Sequence, residues 1–161
     1  MKIIGVDPGT IRCGYGIIET DGDCCSVLSC GVIRPGNSGI KMSIRLKRVY
    51  DRLEALIDHY RPIHMALEKA FFYKNAKTSF ALGQLRGVVL LLAENMGLSI
   101  YEYNPTEVKL SVTGFGRASK LQVKRMVKVI TNIEDDLSED KADALALCIC
   151  HMNSPNLLYK R

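Results

Sequence analysis

At 161 residues and 17.9 kDa, with 47% hydrophobic residues and no long polar tract, the chain has the size and composition expected of a single domain spanning residues 1–161, with no second full-sized lobe. Its 22 basic and 17 acidic residues leave a formal charge of +5, which favours polyanionic partners, nucleic acid foremost, although a charge of this size also fits many other proteins. The longest apolar run, 87–93, falls far short of the roughly 18 residues that cross a bilayer, so no membrane association is expected.

In chain order, residues 2–7 (KIIGVD) form a β-rich segment that stops at Pro8-Gly9. Segments 13–20 and 25–34 follow it with Asp21-Gly22 between them, which predicts an antiparallel meander of three strands. Leu46, Val49, Tyr50, Leu53, Leu56, Ile57 and Tyr60 recur at helical spacing and end before Pro62, so 43–60 is a long amphipathic helix. A short apolar strand at 63–68, a helix at 77–96 and a strand at 98–103 come next. Strands separated by helices imply parallel pairing. The final third is helical, with a short segment at 105–111, a glycine-containing loop at 114–119, and helices near 119–132 and 138–153. The expected class is α/β, with a five-stranded mixed sheet of three antiparallel strands followed by parallel ones, flanked by helices.

Six cysteines (Cys13, Cys24, Cys25, Cys30, Cys148 and Cys150) form no CxxC pair, and His59, His64 and His151 are scattered, so a structural zinc site lacks its usual spacing. The first strand begins at Lys2 with no secretory leader before it, and a reducing cytoplasm is expected.

The acidic residues carry more information. Asp7 closes the first strand and Glu68 closes the fourth, after an apolar run that reads as core. In neighbouring strands both can point into one cleft. A lone strand-end aspartate has an ordinary alternative as a turn residue. Glu68 is harder to dismiss, because an ionised carboxylate in apolar surroundings is costly unless paired or metal-bound. Asp140 and Asp143 lie three apart at the start of the last helix, on one face. Ser138 is a candidate N-cap, and the helix dipole accounts for Glu139 and Asp140. Asp143 has no such account. It sits inside ADALALCIC, where nearly every helix face is apolar, and an acid there needs a partner. Four converging acids repel one another unless a cation neutralises them. Oxygen-only ligands select magnesium, with manganese able to substitute. Two such ions about 3.5–4 Å apart are the arrangement that activates water for in-line attack on a phosphodiester.

The stretches GVDPGTIRCGYGII, ALEKAFFYKNAKTSFALGQLRGV, NPTEVKLSVTGFGRASKLQV and EDKADALALCICH resemble, in order and across nearly the whole chain, the RuvC family of Holliday-junction resolvases. The resemblance implies a ribonuclease-H-like fold, a homodimer, and paired symmetric nicks in four-way DNA junctions leaving 5'-phosphate and 3'-hydroxyl ends. It also implies cooperation with the RuvA and RuvB branch-migration proteins. Carried over by motif, the family's catalytic and metal-binding quartet falls on Asp7, Glu68, Asp140 and Asp143. Lys109 and Lys120 become candidates for contacts near the scissile phosphate, with Arg117 and Lys124 as further DNA contacts, and Phe71 matches the aromatic that enters the branch point. Lys69 departs from the family, whose members more often carry an uncharged polar residue after the glutamate.

Two features of the residues themselves bear on binding. Lys120, Lys124 and Lys128 form a stripe on one helix, either a solvated face or a phosphate-binding one. Gly83 and Gly87 lie four apart in a helix, and each costs roughly 1 kcal/mol relative to alanine. They suit close packing against the chain's own first helix or a two-fold interface, and the resemblance favours the interface. Three other readings compete: a phosphotransferase using the Asp-Pro-Gly-Thr turn, which needs a second lobe; a small nuclease acting on structured RNA; and a non-catalytic junction-binding module in which the acids are caps and surface charges.

Overall fold

The computed structural model describes residues 1–69, 75–134 and 136–154. Five strands make one sheet: β1 (Lys2–Asp7), β2 (Cys13–Thr20), β3 (Cys25–Ile33), β4 (His64–Glu68) and β5 (Ser99–Tyr103), in the order β3-β2-β1-β4-β5. The first three pair antiparallel, while β4 and β5 add parallel to the other side of β1. The helices are α1 (Met42–Tyr60), α2 (Ala76–Asn95), α3 (Pro105–Thr113), α4 (Lys120–Thr131) and α5 (Glu139–Met152). The predicted order and mixed pairing are both present, with element ends within a residue or two of expectation.

Alternation along the strands divides the core in two. Ile4 and Val6 of β1 join Met65 and Leu67 of β4 under α1 and α2, packing on Val49, Leu53, Leu85 and Leu92. Ile3 and Ala66 point the other way, into a cluster built on α5 with α3 and α4. By the same alternation Asp7 and Glu68 fall on the α5 side. The register pairs Val6 with Leu67, so these two acids occupy the next position on adjacent parallel strands.

The approach of α5 to the sheet sets the geometry of that side. A Cβ added at Gly5 would collide with the carbonyl oxygen of Ala144, one at Gly14 with the carbonyl oxygen of Asp140, and one at Gly16 with the Leu145 side chain. Glycine is required at these points because helix backbone rests directly on strand backbone. Ten of the fourteen α5 residues, from Ala142 to Met152, are buried, which explains the apolar composition of the last helix on almost every face.

At the far end of α5, the fully buried His151 meets Tyr103 Oη through Nδ1 at 2.5 Å and His64 Nδ1 through Nε2 at 2.9 Å. Burial, and then His64, lower its pKa to about 4. All six cysteines are free thiols. Among the described residues no helix is long and apolar enough to cross a membrane.

Gly5→Ala is expected to cost about 1–3 kcal/mol of stability, read as a lower urea midpoint, because α5 must lift off β1 to admit one methyl group. An unchanged midpoint would show that the helix has slack at this contact.

Candidate active site

The α5-facing ends of β1 and β4 and the first turns of α5 enclose a cleft of about 370 Å³. Asp7, Glu68 and Asp143 line it together with Lys109 of α3 and Lys120 of α4, and Val108 and Val123 belong to its apolar wall. α3 is started by Pro105 and a capping box in which Asn104 and Glu107 satisfy each other's backbone N–H groups. α4 is started by a second such box between Ser119 and Gln122. These two caps fix the starts of the helices that bring Lys109 and Lys120 to the cleft. Ser138 stands at the N-cap position of α5 as expected, but among the described residues it makes no side-chain cap hydrogen bond, and its buried Oγ has no partner.

Asp7 is the electrostatic centre of the cluster. Burial, followed by the charges of Asp143, Glu68 and Asp140, pushes its pKa up to about 7. Burial and then Asp143 also raise Glu68, against the opposing pull of Lys120 and Lys109. Asp143 is raised by burial although Lys120 opposes it. Lys120 Nζ lies 3.5 Å from Asp143 Oδ2 and 3.7 Å from Glu139 Oε2, and Asp143 holds the ammonium in its charged form.

Asp140 departs from the expected convergence. It does not line the cleft. Its carboxylate turns to Arg12, whose Nη2 stands 2.5 Å from Oδ2. The reason lies in the helix: residues three apart are neighbours on its surface but are rotated about the axis. Asp143 therefore faces the cleft while Asp140 faces the β1–β2 loop. Among the described residues no group of three His, Cys, Asp or Glu side chains stands close enough to hold one metal ion. The donor set nevertheless fits a hard divalent cation. The groups are carboxylates, they repel one another around Asp7, and among the described residues the buried Oδ2 of Asp140 meets the Arg12 guanidinium without a well-aligned hydrogen bond. Closure requires side-chain rotation over a backbone already in place.

The other candidates separate. Lys109 and Lys120 are in the cleft, whereas Arg117 is exposed on the loop before α4. The lysine stripe of α4 is not an open face. Lys120 pairs with Asp143, Lys124 reaches Asp136 Oδ1 at 3.4 Å, and Lys128 donates to the carbonyl of Glu134 at 2.9 Å. α4 packs beside α5, and its lysines meet acceptors on that helix and on the segment leading into it. Phe71 lies outside the described residues. Lys69 is exposed, and its backbone N–H donates to Tyr103 at 2.9 Å.

Gly83 and Gly87 face outward, and among the described residues a Cβ at either would meet nothing within 4 Å. Packing against α1 does not explain them, because the face α2 turns inward carries Leu85, Val89 and Leu92.

Two arginines escaped the sequence reading. Arg86 of α2 donates from Nη1 to the backbone carbonyl of Glu68 at 2.7 Å and pairs through Nη2 with Glu102 on β5, so it anchors the end of β4. Its signal was present as the one charge in LGQLRGVVLLLA, the same logic that singled out Asp143. Arg12 left no such signal, since an arginine in a turn is ordinary.

The family model described as crossover junction endodeoxyribonuclease RuvC matches residues 3–151 of the chain. The chain belongs to the RuvC family. The RuvC of Heliobacterium modesticaldum is 46% identical over 156 residues, covering 96% of this chain and 95% of that protein. Thermus thermophilus RuvC superposes with a TM-score of 0.88 at 28% identity, covering 98% of this chain and 96% of that one. A T. thermophilus RuvC in complex with Holliday junction substrate gives 0.88 at 29% identity, over 94% and 92% of the two chains. The sheet and helices are thus the ribonuclease-H-like fold of RuvC.

The crowding at Asp7 predicts a pH signature. Its carboxyl is held protonated to about pH 7, so the fold gains stability from it below pH ~4 and loses that stability as pH rises through ~7. In EDTA at pH 8, Asp7→Asn is expected to be more stable than the parent by about 1–3 kcal/mol, with no gain at pH 4. Thermal melts at the two pH values check this, and equal shifts at both would remove electrostatic crowding as the cause.

Proposed function

We propose that this chain resolves four-way Holliday junctions in DNA, as a magnesium-dependent endonuclease that makes paired symmetric nicks during recombination and repair. The observation that carries the reading is one cleft lined by Asp7, Glu68 and Asp143 and walled by Lys109 and Lys120, within a chain of the RuvC family.

Each residue has a distinct part. Lys109 and Lys120 approach from α3 and α4 to hold a phosphate in the cleft by charge, which positions the backbone without reading sequence. The apolar wall at Val108 and Val123 limits water around that phosphate and strengthens the charge interactions. Asp7, Glu68 and Asp143, joined by Asp140 after rotation of its side chain, would hold the magnesium, with manganese as a substitute. When bound, up to two such ions supply an activated water and neutralise the leaving oxygen of a phosphodiester, giving 5'-phosphate and 3'-hydroxyl ends. Arg117 and Lys124 serve DNA bound beyond the cleft, Lys124 after leaving Asp136. Phe71, following Glu68 in sequence, stacks on a base at the branch point, worth about 1–3 kcal/mol. RuvA and RuvB are the expected branch-migration partners, and the cytoplasm, where six thiols stay reduced, the expected setting.

Symmetric nicking needs two sites related by a two-fold axis. The outward face of α2 supports a homodimer. Phe80 and Leu91, 71% and 59% exposed, flank Gly83 and Gly87 at helical spacing, opposite the buried Leu85 and Val89. The two glycines leave room for a partner's helix to approach closely.

Asp143→Asn is expected to retain four-way-junction binding while losing nicking at least a hundredfold in magnesium, about 3 kcal/mol of barrier. Linear duplex and structured RNA serve as comparison substrates, and calcium and EDTA as comparison conditions. Nicking retained by that variant would remove Asp143 from the mechanism, and faster cutting of RNA would reassign the substrate. Leu91→Asp should shift the chain from dimer to monomer in sedimentation equilibrium, and an unaltered mass would place the interface elsewhere.

A further inference from the structure

Asp140 presents an unusual combination. Its backbone is fixed, because its carbonyl oxygen lies against Gly14, the residue paired with Asp7 across β1 and β2. Its side chain alone is free to choose a direction, and it turns away from the cleft to Arg12. The pairing is close but imperfectly aligned. Among the described residues Oδ2 is closed off from solvent and accepts no well-aligned hydrogen bond, although the guanidinium stands 2.5 Å away. The Arg12 side chain is 50% exposed and the Asp140 side chain 23%, a setting in which ion pairs are worth about 0.2–1 kcal/mol. A well-made carboxylate–arginine pair takes two parallel hydrogen bonds instead.

We propose that Arg12 is a stand-in cation for Asp140. In the metal-free protein it neutralises the carboxylate and parks it outside the cleft. A divalent cation entering beside Asp7 and Asp143 competes for Asp140, draws it inward, and releases the guanidinium toward the phosphate backbone of bound DNA. The proposal rests on the metal-dependent reading of the site and adds a positioning role for a residue that touches only one of the proposed ligands. The exchange is isoelectric at Asp140, because one cationic partner replaces another and the carboxylate is never left unpaired. It also couples two events, since whatever frees Arg12 on metal binding must, by linkage, make metal binding tighter when phosphate captures Arg12.

The test is calorimetric titration of Mn2+ and Mg2+ into the DNA-free protein, which reads binding without turnover. Arg12→Gln is expected to bind metal about two- to fivefold more tightly than the parent, the competition being removed. In an Asp140→Asn background, Arg12→Gln should change metal affinity little, because the two residues act through one contact. With calcium present, the salt dependence of junction binding should fall in slope by about 1 in Arg12→Gln, and with EDTA it should not change. Unchanged or weaker metal binding by Arg12→Gln would overturn the stand-in role while leaving the metal-dependent reading intact. An equal effect of Arg12→Gln with and without Asp140 would overturn it as well. A parent protein that binds neither metal would remove both proposals together.

Discussion

The contact on which the candidate site depends is backbone against backbone. The first turns of α5 rest on β1 and β2 through Gly5 and Gly14, with the carbonyl oxygens of Ala144 and Asp140 where side chains would otherwise stand. No side-chain packing could bring a helix so near a sheet. The consequence is electrostatic, because carboxylates from α5 and from two strand ends come close enough for Asp143, Glu68 and Asp140 to act on Asp7. One packing decision thereby produces both the core of that side and its charge density.

Such density is unfavourable by itself, and the fold offsets it only in part. Lys120 serves Asp143, Arg12 serves Asp140, and Asp7 is left with a raised proton affinity. The acids are thus neutralised only in part by the protein's own cations. Buried like charges of this kind cost stability unless a cation offsets them. Around these acids, the capping boxes of α3 and α4 give the two cleft lysines defined origins.

The opposite layer has a different task. α1 and α2 cover the other face of the sheet with ordinary apolar packing. Among the described residues, α2 carries features that its own core does not need: two glycines with open space above them and two large exposed apolar residues beside them. The same helix sends Arg86 to the carbonyl of Glu68 and to Glu102. A surface suited to a second subunit is therefore one side chain away from the end of β4.

Much of this was legible in the sequence. β-rich segments ending at turn residues marked the strands, helical periodicity marked α1, and the cost of an acid in an apolar helix singled out Asp143. These are local signals, carried by residues near one another in the chain, and local physics reads them. Tertiary structure alone decided that Asp140 turns to Arg12, that the α4 lysines meet acceptors on α5 and on the segment before it, and that Arg86 anchors Glu68. Each of these depends on helix rotation and side-chain direction, quantities that spacing along the chain leaves open. The sequence by itself singled out Glu68 and Asp143 as acids in need of a partner, because burying a charge is expensive wherever the chain goes. Only the fold decided which charges meet, because that depends on how closely one backbone can lie upon another.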